Sequence, residues 1–202
     1  YLLGLGVTKS TSEGLKWLTK AAEQGDVSAQ GVLASLFLNL DEQFEVARDY
    51  TVALGWFRKA AEQKDGQAEF FLGFMHEHGL GVNQDFKEAV KWYTRAAEQG
   101  HADAQRKLGL LHLNGEGVAQ DSKKAMQWIM KAADQDNPYA QYGLALMFYS
   151  GDDVDQDYKK ALAWFTKAAE QGHAPAQNTL GFMYKNGEGV TQDFKQAVNW
   201  FR

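Results

Sequence analysis

Apolar residues recur along the chain at the spacing of one helix face, in short segments bounded by aspartate and glycine. In the segment that starts at Asp85, the apolar set is Ala89, Trp92, Tyr93, Ala96 and Ala97. This spacing is typical of an amphipathic helix. Asp85 stands where such a helix needs an N-cap, and Gly100 stands where a left-handed C-terminal residue is common. The pattern therefore predicts a helix between Asp85 and Gly100.

A second apolar pattern precedes this one and predicts a helix over roughly Gln67 to His78. Its core face consists of Ala68, Leu72, Met75 and His76. Gly79 and Gly81 follow and predict a turn, because glycine adopts positive φ at little steric cost. In later copies, Pro138 and Pro175 fall near the start of this helix, where a missing backbone N–H costs little. Each unit therefore predicts a first helix, a glycine turn and a second helix.

The helix pair recurs with a fixed period. The tryptophans are Trp17, Trp56, Trp92, Trp128, Trp164 and Trp200, and their separations are 39, 36, 36, 36 and 36 residues. The segment from Gly79, GLGVNQDFKEAVKWYTRAAEQGHADAQ, returns from Gly115 as GEGVAQDSKKAMQWIMKAADQDNPYAQ and from Gly151 as GDDVDQDYKKALAWFTKAAEQGHAPAQ. The N-cap position recurs at Asp121, Asp157 and Asp193.

One helix pair of this size cannot bury its apolar face alone, but stacked copies can. The sequence therefore predicts an all-α solenoid of about five to six helix-turn-helix repeats of 36 residues. We expect a single array over residues 1–202, with repeat junctions near residues 26, 65, 101, 137 and 173. The chain begins at Tyr1, without a methionine or a signal-peptide pattern, which suggests a processed chain or a slice of a longer array.

Three local departures interrupt the repeat. The longer interval places three extra residues between positions 39 and 50, in a connection that is rich in acidic side chains from Asp41 to Asp49. Asp153 replaces the second glycine of a turn, and Asp136 stands at the counterpart of Gly100. Aspartate tolerates positive φ better than most residues, so we expect Asp153 to keep the turn.

The repeating unit A-x-x-x-L-G-x-x-[YH]-x-x-G-x-G-V-x-x-D-x-x-x-A-x-x-W-[FY]-x-[KR]-A-A-E-Q-G-H resembles the Sel1-like repeat, a relative of the tetratricopeptide repeat. The resemblance covers nearly the whole chain. It implies a right-handed α/α superhelix and an adaptor role in protein complexes. It also implies that bacterial members are common and often exported or linked to the cell envelope, so exported and cytoplasmic locations both stay open.

Composition and charge narrow the classes of partner. The chain has 202 residues, a formal net charge of -5 and 23 % charged residues, and its Lys and Arg side chains are dispersed rather than clustered. This distribution argues against nucleic-acid binding, which usually needs a basic patch. No apolar run is long enough to cross a membrane, so we expect no membrane insertion. The chain has no cysteine, which excludes disulfides, thiolate chemistry and cysteine zinc sites.

Candidate catalytic and metal-binding patterns are weak. The sequence contains no S-x-x-K, no G-x-S-x-G and no H-E-x-x-H. His76 and His112 share one repeat position, while His101 and His173 share another, so we expect neither a metal nor a cofactor. The tryptophans are interpreted as the core residues of the second helices, and the recurring aspartates as helix caps rather than catalytic carboxylates. The chain is therefore predicted not to be an enzyme. The alternative prediction is a cell-wall or β-lactam hydrolase.

The outward face of the first helices is the candidate binding surface. Counted from Ala68 and its counterparts, positions +2, +6 and +9 point away from the core face, vary between copies and are unusually apolar. The predicted partner-binding residues are Phe70, Phe74, Arg106, Leu110, Tyr142, Tyr149, Asn178, Phe182 and Lys185. Arg106 and Lys185 could hold acidic groups of a protein or peptide partner, and Asn114 and Asn186 could hold its backbone.

Two alternatives to this surface stay open. The side chains at positions +2, +6 and +9 could instead pack against neighbouring repeats, in which case the acidic connection from Asp41 to Asp49 becomes the next candidate. The groove or an open repeat end could also mediate self-association, so a homo-oligomer remains possible.

Overall fold

The computed structural model describes residues 10–39, 46–152 and 154–202. These residues form eleven α-helices and no strand. The helices are α1 (Thr11–Glu23), α2 (Val27–Leu38), α3 (Tyr50–Glu62), α4 (Gly66–His78), α5 (Phe86–Glu98), α6 (Ala102–Asn114), α7 (Ser122–Ala133), α8 (Pro138–Ser150), α9 (Tyr158–Glu170), α10 (Ala174–Asn186) and α11 (Phe194–Trp200). The predicted all-α repeat fold is confirmed, while the predictions for Asp153 and for most of the acidic connection lie outside the described residues.

The even-numbered helices α2 to α10 are the first helices of the repeat, and the odd-numbered helices are the second helices. The predicted caps of the second helices are confirmed. Asp85 Oδ1 accepts hydrogen bonds from the backbone N of Lys87 and of Glu88, at 2.9 and 3.1 Å. The corresponding carboxylates of Asp121, Asp157 and Asp193 cap α7, α9 and α11 in the same way. These bonds satisfy N–H groups that have no partner within the helix.

The turns also follow the sequence pattern. Gly79 ends α4 with a φ of 67° and donates its N–H to the carbonyl of Met75. Gly81 has a φ of 68°, and a Cβ atom there would lie 2.8 Å from the carbonyl oxygen of Tyr50, so both conformation and space require glycine. Asp136, at the counterpart of Gly100, has a positive φ of 59°.

The amino-terminal unit, Tyr1–His101, contains α1 to α5. Each helix packs on the next one along the chain. Its core includes Phe57 of α3 together with Leu72 and Met75 of α4, all fully buried, and the Phe57 ring stacks on Phe71 at 5.0 Å. Ala68 is also fully buried, whereas His76 is half-buried, so three of the four predicted core positions of α4 are confirmed outright.

The carboxy-terminal unit, Ala102–Arg202, contains α6 to α11 and repeats this arrangement. Leu144 of α8, Phe165 of α9 and Leu180 of α10 are fully buried in its core. The principal contacts of α8 are with the second helices α7 and α9, and those of α10 are with α9 and α11. Among the described residues, no helix is both long enough and apolar enough to cross a membrane.

The interpretation of the tryptophans as the core residues of the second helices is confirmed only in part, because Trp56, Trp92, Trp164 and Trp200 pack against the core without being fully buried. Trp17 is 53 % exposed, and the other tryptophans are only half-buried. The fully buried residue is the next one in sequence, as at Phe57, Tyr93 and Phe165. A helix turns by about 100° per residue, so the two adjacent aromatic side chains point in different directions, and in these helices the second one faces the centre of the core.

In five of the second helices, the Lys or Arg three residues after the tryptophan lies over the tryptophan ring. The distances from cation to ring centroid are 4.7 Å for Lys20 over Trp17, 4.1 Å for Lys59 over Trp56, 4.7 Å for Arg95 over Trp92, 4.1 Å for Lys131 over Trp128 and 4.1 Å for Lys167 over Trp164. The tryptophans therefore sit at the border of the core and form cation–π contacts on their outer side.

A buried glutamine connects each of the first helices α2 and α8 to its two neighbours. In α8, Gln141 Nε2 donates to the carbonyl of Ala133 at 3.2 Å, and Gln141 Oε1 accepts from Gln171 Nε2 at 2.8 Å. Gln30 of α2 makes the same pair of bonds. A glutamine side chain suits this position because its amide nitrogen donates to one neighbour and its amide oxygen accepts from the other.

Glu69 replaces the glutamine in α4, and it is 1 % exposed. A carboxylate cannot donate, so Arg95 of α5 takes over that role: its Nη2 donates to the carbonyl of Ala61 at 3.2 Å and lies 2.6 Å from Glu69 Oε1. Gln99 Nε2 donates to the other carboxylate oxygen at 2.5 Å. The unusual acid is thus matched by an unusual arginine in the same repeat.

Candidate functional site

Position +6 is the most exposed of the three outward positions on the first helices. Leu146 of α8 and Phe182 of α10 are 40 % and 46 % exposed, although both are large apolar residues. Ser35 is also exposed, whereas Phe74 and Leu110 are half-buried. The Phe74 ring lies 4.1 Å from the ring of His78, and the Phe182 ring lies 5.2 Å from that of Phe201. An exposed apolar pair on two successive first helices of one unit is consistent with a contact surface.

Position +2 is aromatic in two repeats, and these rings pack inward. The Phe70 ring lies 5.7 Å from Tyr93 of α5 and stacks on His101 at 4.7 Å. In the carboxy-terminal unit, the Tyr142 ring lies 5.6 Å from Phe165 and 4.7 Å from His173. Both rings are half-buried, so they line the face and also hold the repeat together.

The other two residues of the predicted set at position +2 differ from each other. Arg106 is half-buried, with its guanidinium 5.7 Å from the Tyr139 ring and its Nε 3.7 Å from Asp103 Oδ1. Asn178 is exposed. Arg106 therefore lies beside an aromatic ring at the start of α8, while Asn178 of α10 exposes its side chain to solvent.

Position +9 carries a hydrogen bond between repeats. The Tyr149 hydroxyl donates to Glu188 Oε2 at 2.8 Å, and its ring packs edge-on against Tyr158 at 5.2 Å. The hydrogen bond to Glu188 and then burial raise the pKa of Tyr149 to about 12. Lys185 is exposed, with its Nζ 6.0 Å from the Phe182 ring centroid. Tyr149 therefore serves packing, whereas Lys185 can meet a partner.

The two asparagines at position +10 are both exposed. Asn186 Nδ2 donates to Glu188 Oε1 at 3.1 Å, so the Glu188 carboxylate holds Tyr149 and Asn186 together. The side-chain oxygen of Asn186 is not used in this bond, and an amide oxygen can accept from a peptide backbone.

Two exposed side chains on the same helices are missing from the set that the sequence predicts. Leu146 occupies position +6, and its phase alone would have included it. Tyr139 is 61 % exposed and lies one residue before the buried Ala140, outside the three positions that were considered. Its ring meets His173 edge-on at 5.2 Å. The exposed part of the face in the carboxy-terminal unit consists of Tyr139, Leu146, Asn178, Phe182 and Lys185.

The recurring aspartates have the chemistry of caps. Hydrogen bonds from backbone N–H groups lower the pKa of Asp121, mainly through Lys124, and that of Asp157, mainly through Lys160. A carboxylate with a lowered pKa is a poor general acid near neutral pH. Within residues 10–39, 46–152 and 154–202, no group of three or more His, Asp or Glu residues is arranged to hold a metal ion.

A shallow cavity of about 390 Å³ lies apart from the apolar positions. Its lining residues are Asp136, Lys167, Glu170 and Gln171, which come from the α7–α8 connection and the last part of α9. This lining carries both signs of charge and no aromatic ring. It therefore lacks the apolar contact area that the first helices offer.

Comparisons with known structures and protein families identify proteins that share this architecture. Over most of the chain, the structure is similar to a protective antigen of uropathogenic Escherichia coli with the same repeat fold, at 38 % identity and a TM-score of 0.86; the match covers 92 % of this chain and 39 % of that protein. A Sel1 repeat protein from Oxalobacter formigenes matches at 37 % identity and a TM-score of 0.89, over 96 % of this chain and 56 % of that protein. The chain thus spans less than two thirds of either protein.

A more distant similarity concerns the fold alone. An immunity protein from Pseudomonas aeruginosa matches at 22 % identity and a TM-score of 0.63, over 93 % of this chain and 70 % of that protein. No curated protein sequence matches the chain significantly. The Sel1 repeat model matches residues 1–26, 27–65, 66–101, 102–137, 138–173 and 174–202. With the helix pairs, caps and glycine turns described above, these matches show that the chain belongs to the Sel1 repeat family.

Proposed function

We propose that this chain is a non-enzymatic interaction scaffold and that its first helices bind a segment of a partner protein. Sel1 repeat proteins commonly act as protein-interaction scaffolds. The observation that carries the proposal is the exposure of Leu146 and Phe182 at one repeat position in the carboxy-terminal unit. Large apolar side chains that face solvent on a regular scaffold lose little conformational freedom on binding and provide much contact area.

The packing of the helices supports this assignment. Each of α8 and α10 makes its principal contacts with second helices, through its buried face. Position +6 lies on the other side of these first helices, so its side chains are not required to fill the core. The half-buried rings of Tyr142 and Tyr149 pack against the buried ring of Phe165 and are therefore held in place on the same helix as Leu146.

Polar groups next to the exposed pair would orient a bound segment. Lys185 lies beside Phe182 and can form an ion pair with a carboxylate of the partner, while Asn178 and Asn186 can hydrogen-bond its backbone. In the amino-terminal unit, Phe70 and Phe74 occupy positions +2 and +6, and we propose that they form a separate set of contacts in that unit. Each repeat would contribute a small share of the affinity, and a segment that spans several repeats would gain from all of them.

The test uses a displayed library of random peptides that is selected for binding to the purified chain. The affinity of the selected peptides is then measured for the wild type and for the double variant Leu146→Ala, Phe182→Ala. We expect a loss of more than about tenfold, because each truncation at a contact residue of this kind typically costs about 1 kcal/mol or more. The melting temperature should change little, because both side chains are largely exposed.

Met130→Ala is the matched control. Met130 is a large apolar residue that is 36 % exposed on the second helix α7 of the same unit, and its truncation should leave the affinity unchanged. Binding that depends on Met130 and not on the Leu146–Phe182 pair would refute the proposal. Binding that survives both variants would move the site elsewhere, with the acidic connection from Asp41 to Asp49 as the first place to examine.

The other two functions have their own tests. The proposal predicts that the purified chain does not hydrolyse a chromogenic β-lactam, whereas turnover that one point substitution abolishes would favour the hydrolase alternative. If the chain forms a homo-oligomer that the Leu146–Phe182 variant dissociates, the same surface mediates self-association instead of partner binding. Light scattering on both proteins separates these outcomes.

A further inference from the structure

The first helix α10 begins at a histidine, whereas three other first helices begin at an acid or an amide. Asp26, Asp65 and Asn137 cap α2, α4 and α8 through a side-chain oxygen. At α10 the acceptor is a nitrogen: His173 Nδ1 accepts a hydrogen bond from the backbone N of Ala176 at 3.2 Å. The acceptor exists only in the neutral imidazole, since both ring nitrogens of the protonated form carry hydrogen.

The same ring anchors a small aromatic cluster. His173 lies 4.7 Å from Tyr142 and 5.2 Å from Tyr139, both of α8, and Tyr142 continues to Phe165 of α9 at 5.6 Å. The imidazole of His173 therefore caps α10 through Nδ1 and contacts the tyrosines through its ring at the same time. His173 connects the start of α10 to two tyrosines of the preceding first helix.

The titratable and charged groups near the imidazole of His173 come from α8 and α9. From α8 these are the phenols of Tyr139 and Tyr142. Lys167 and Glu170 are the charged residues of the last turn of α9, which leads into His173. Neither contributes to the shift, because burial is the one cause that lowers the pKa of His173 below its ordinary value of 6.5.

We propose that His173 is a pH-sensitive cap, whose Nδ1 stabilises the first turn of α10 only while the imidazole is neutral. This inference goes beyond the proposed function and does not depend on it. Protonation converts Nδ1 from an acceptor into a donor, so the N–H of Ala176 keeps only its bond to the backbone carbonyl of His173, at 2.9 Å. It also places a positive charge at the helix N-terminus, where the helix dipole disfavours a cation. An imidazolium can still stack on Tyr142, but that contact does not restore the acceptor.

The direction of the pH effect follows from the lowered pKa. The contribution of the cap is complete above the unfolded-state pKa of about 6.5. It falls as the pH decreases below that value and is lost once the pH passes the lower folded-state pKa. Acidification from neutral pH to about pH 5 should therefore loosen the start of α10, next to the exposed face of the carboxy-terminal unit.

Amide hydrogen exchange of Ala176, measured by NMR at about pH 7.5 and about pH 5 and expressed as a protection factor, tests the proposal. In the wild type we expect protection at the lower pH to fall by about fivefold, the effect of losing one cap. His173→Asn supplies the cap that α8 uses, so its protection should stay high at both pH values. His173→Ala keeps only the backbone carbonyl of residue 173 as an acceptor, so at both pH values its protection should be as low as that of the protonated wild type.

Two results would overturn the proposal. One is a wild-type protection factor for Ala176 that stays constant while the imidazole carbon shifts show that His173 has been protonated. The other is a His173→Asn protein that loses protection between the two pH values as much as the wild type does. The asparagine variant keeps the test decisive even if His173→Ala folds poorly.

Discussion

Arg95→Met should destabilise the amino-terminal unit by about 2–3 kcal/mol, because it leaves the buried carboxylate of Glu69 without its cation. Breaking a fully buried ion pair by removing one partner costs about 3–5 kcal/mol. We expect less here for two reasons that the structure provides. The Arg95 side chain is 41 % exposed, so water can reach the carboxylate once the guanidinium is gone, and Gln99 still donates to the second oxygen.

Glu69→Gln should cancel most of this loss. In the double variant Glu69→Gln, Arg95→Met, the new amide can donate to the carbonyl of Ala61 and accept from Gln99, as Gln141 does between Ala133 and Gln171. We therefore expect the double variant to lie within about 1 kcal/mol of the wild type. The coupling free energy between positions 69 and 95 should be about 2 kcal/mol, and urea unfolding followed by far-UV circular dichroism measures it.

Lys131→Met is the matched control for the lost cation–π contact. Lys131 lies 4.1 Å from the ring centroid of Trp128, as Arg95 lies over Trp92, but the buried residue in its repeat is Gln105, which is neutral. Its replacement should cost only about 0.5–1 kcal/mol. If Arg95→Met costs no more than Lys131→Met, or if Glu69→Gln fails to rescue it, Glu69 and Arg95 do not act as a matched pair.

Three further predictions follow from the packing. Phe165→Ala should cost about 3–5 kcal/mol and Trp164→Ala clearly less in the same unfolding assay, because Phe165 is fully buried and Trp164 is not; equal costs would restore the tryptophans to the core. Gly73→Ala should lower stability by about 1–3 kcal/mol, since its Cβ would lie 2.6 Å from the Tyr93 ring, whereas Gly143→Ala, whose nearest neighbour is 3.9 Å away, should be neutral or stabilising. Spectrophotometric titration should show that Tyr149 ionises near its raised pKa of about 12, and Glu188→Gln should lower this value; because the neutral phenol is favoured in the folded chain, its contribution to stability is complete below about pH 10 and is lost as the pH rises toward 12.

The sequence predicts the repeat well because its signals are local. Asp85 caps α5 and Gly79 ends α4 as expected, since a cap or a positive φ depends on a few neighbouring residues. The assignment of Trp92 to the core holds only in part, since Trp92 packs at the border and Tyr93 is the fully buried residue. Both Trp92 and Tyr93 are aromatic, and which of them faces inward depends on the rotation of α5 against Gly73 of α4. Apolar periodicity does not specify that rotation to within one residue.

The outward face shows the same limit. Sequence phase identifies positions +2, +6 and +9 as a group, yet the structure divides them by their neighbours. Tyr142 and Tyr149 reach Phe165, while Phe182 and Lys185 stay at the surface. The match between Glu69 and Arg95 is also invisible in sequence, because the two residues lie on different helices and each one is an ordinary polar substitution when viewed alone.

Site-specific photo-crosslinking tests the central claim most directly. A photoreactive phenylalanine analogue is placed at Phe182 on α10 or, in a separate protein, at Met130 on α7, and each protein is irradiated with a peptide selected from the random library. The account predicts a covalent adduct from position 182 and none from position 130, with the wild-type chain in excess suppressing the adduct. An adduct from position 130 alone would contradict the claim that the first helices hold the partner.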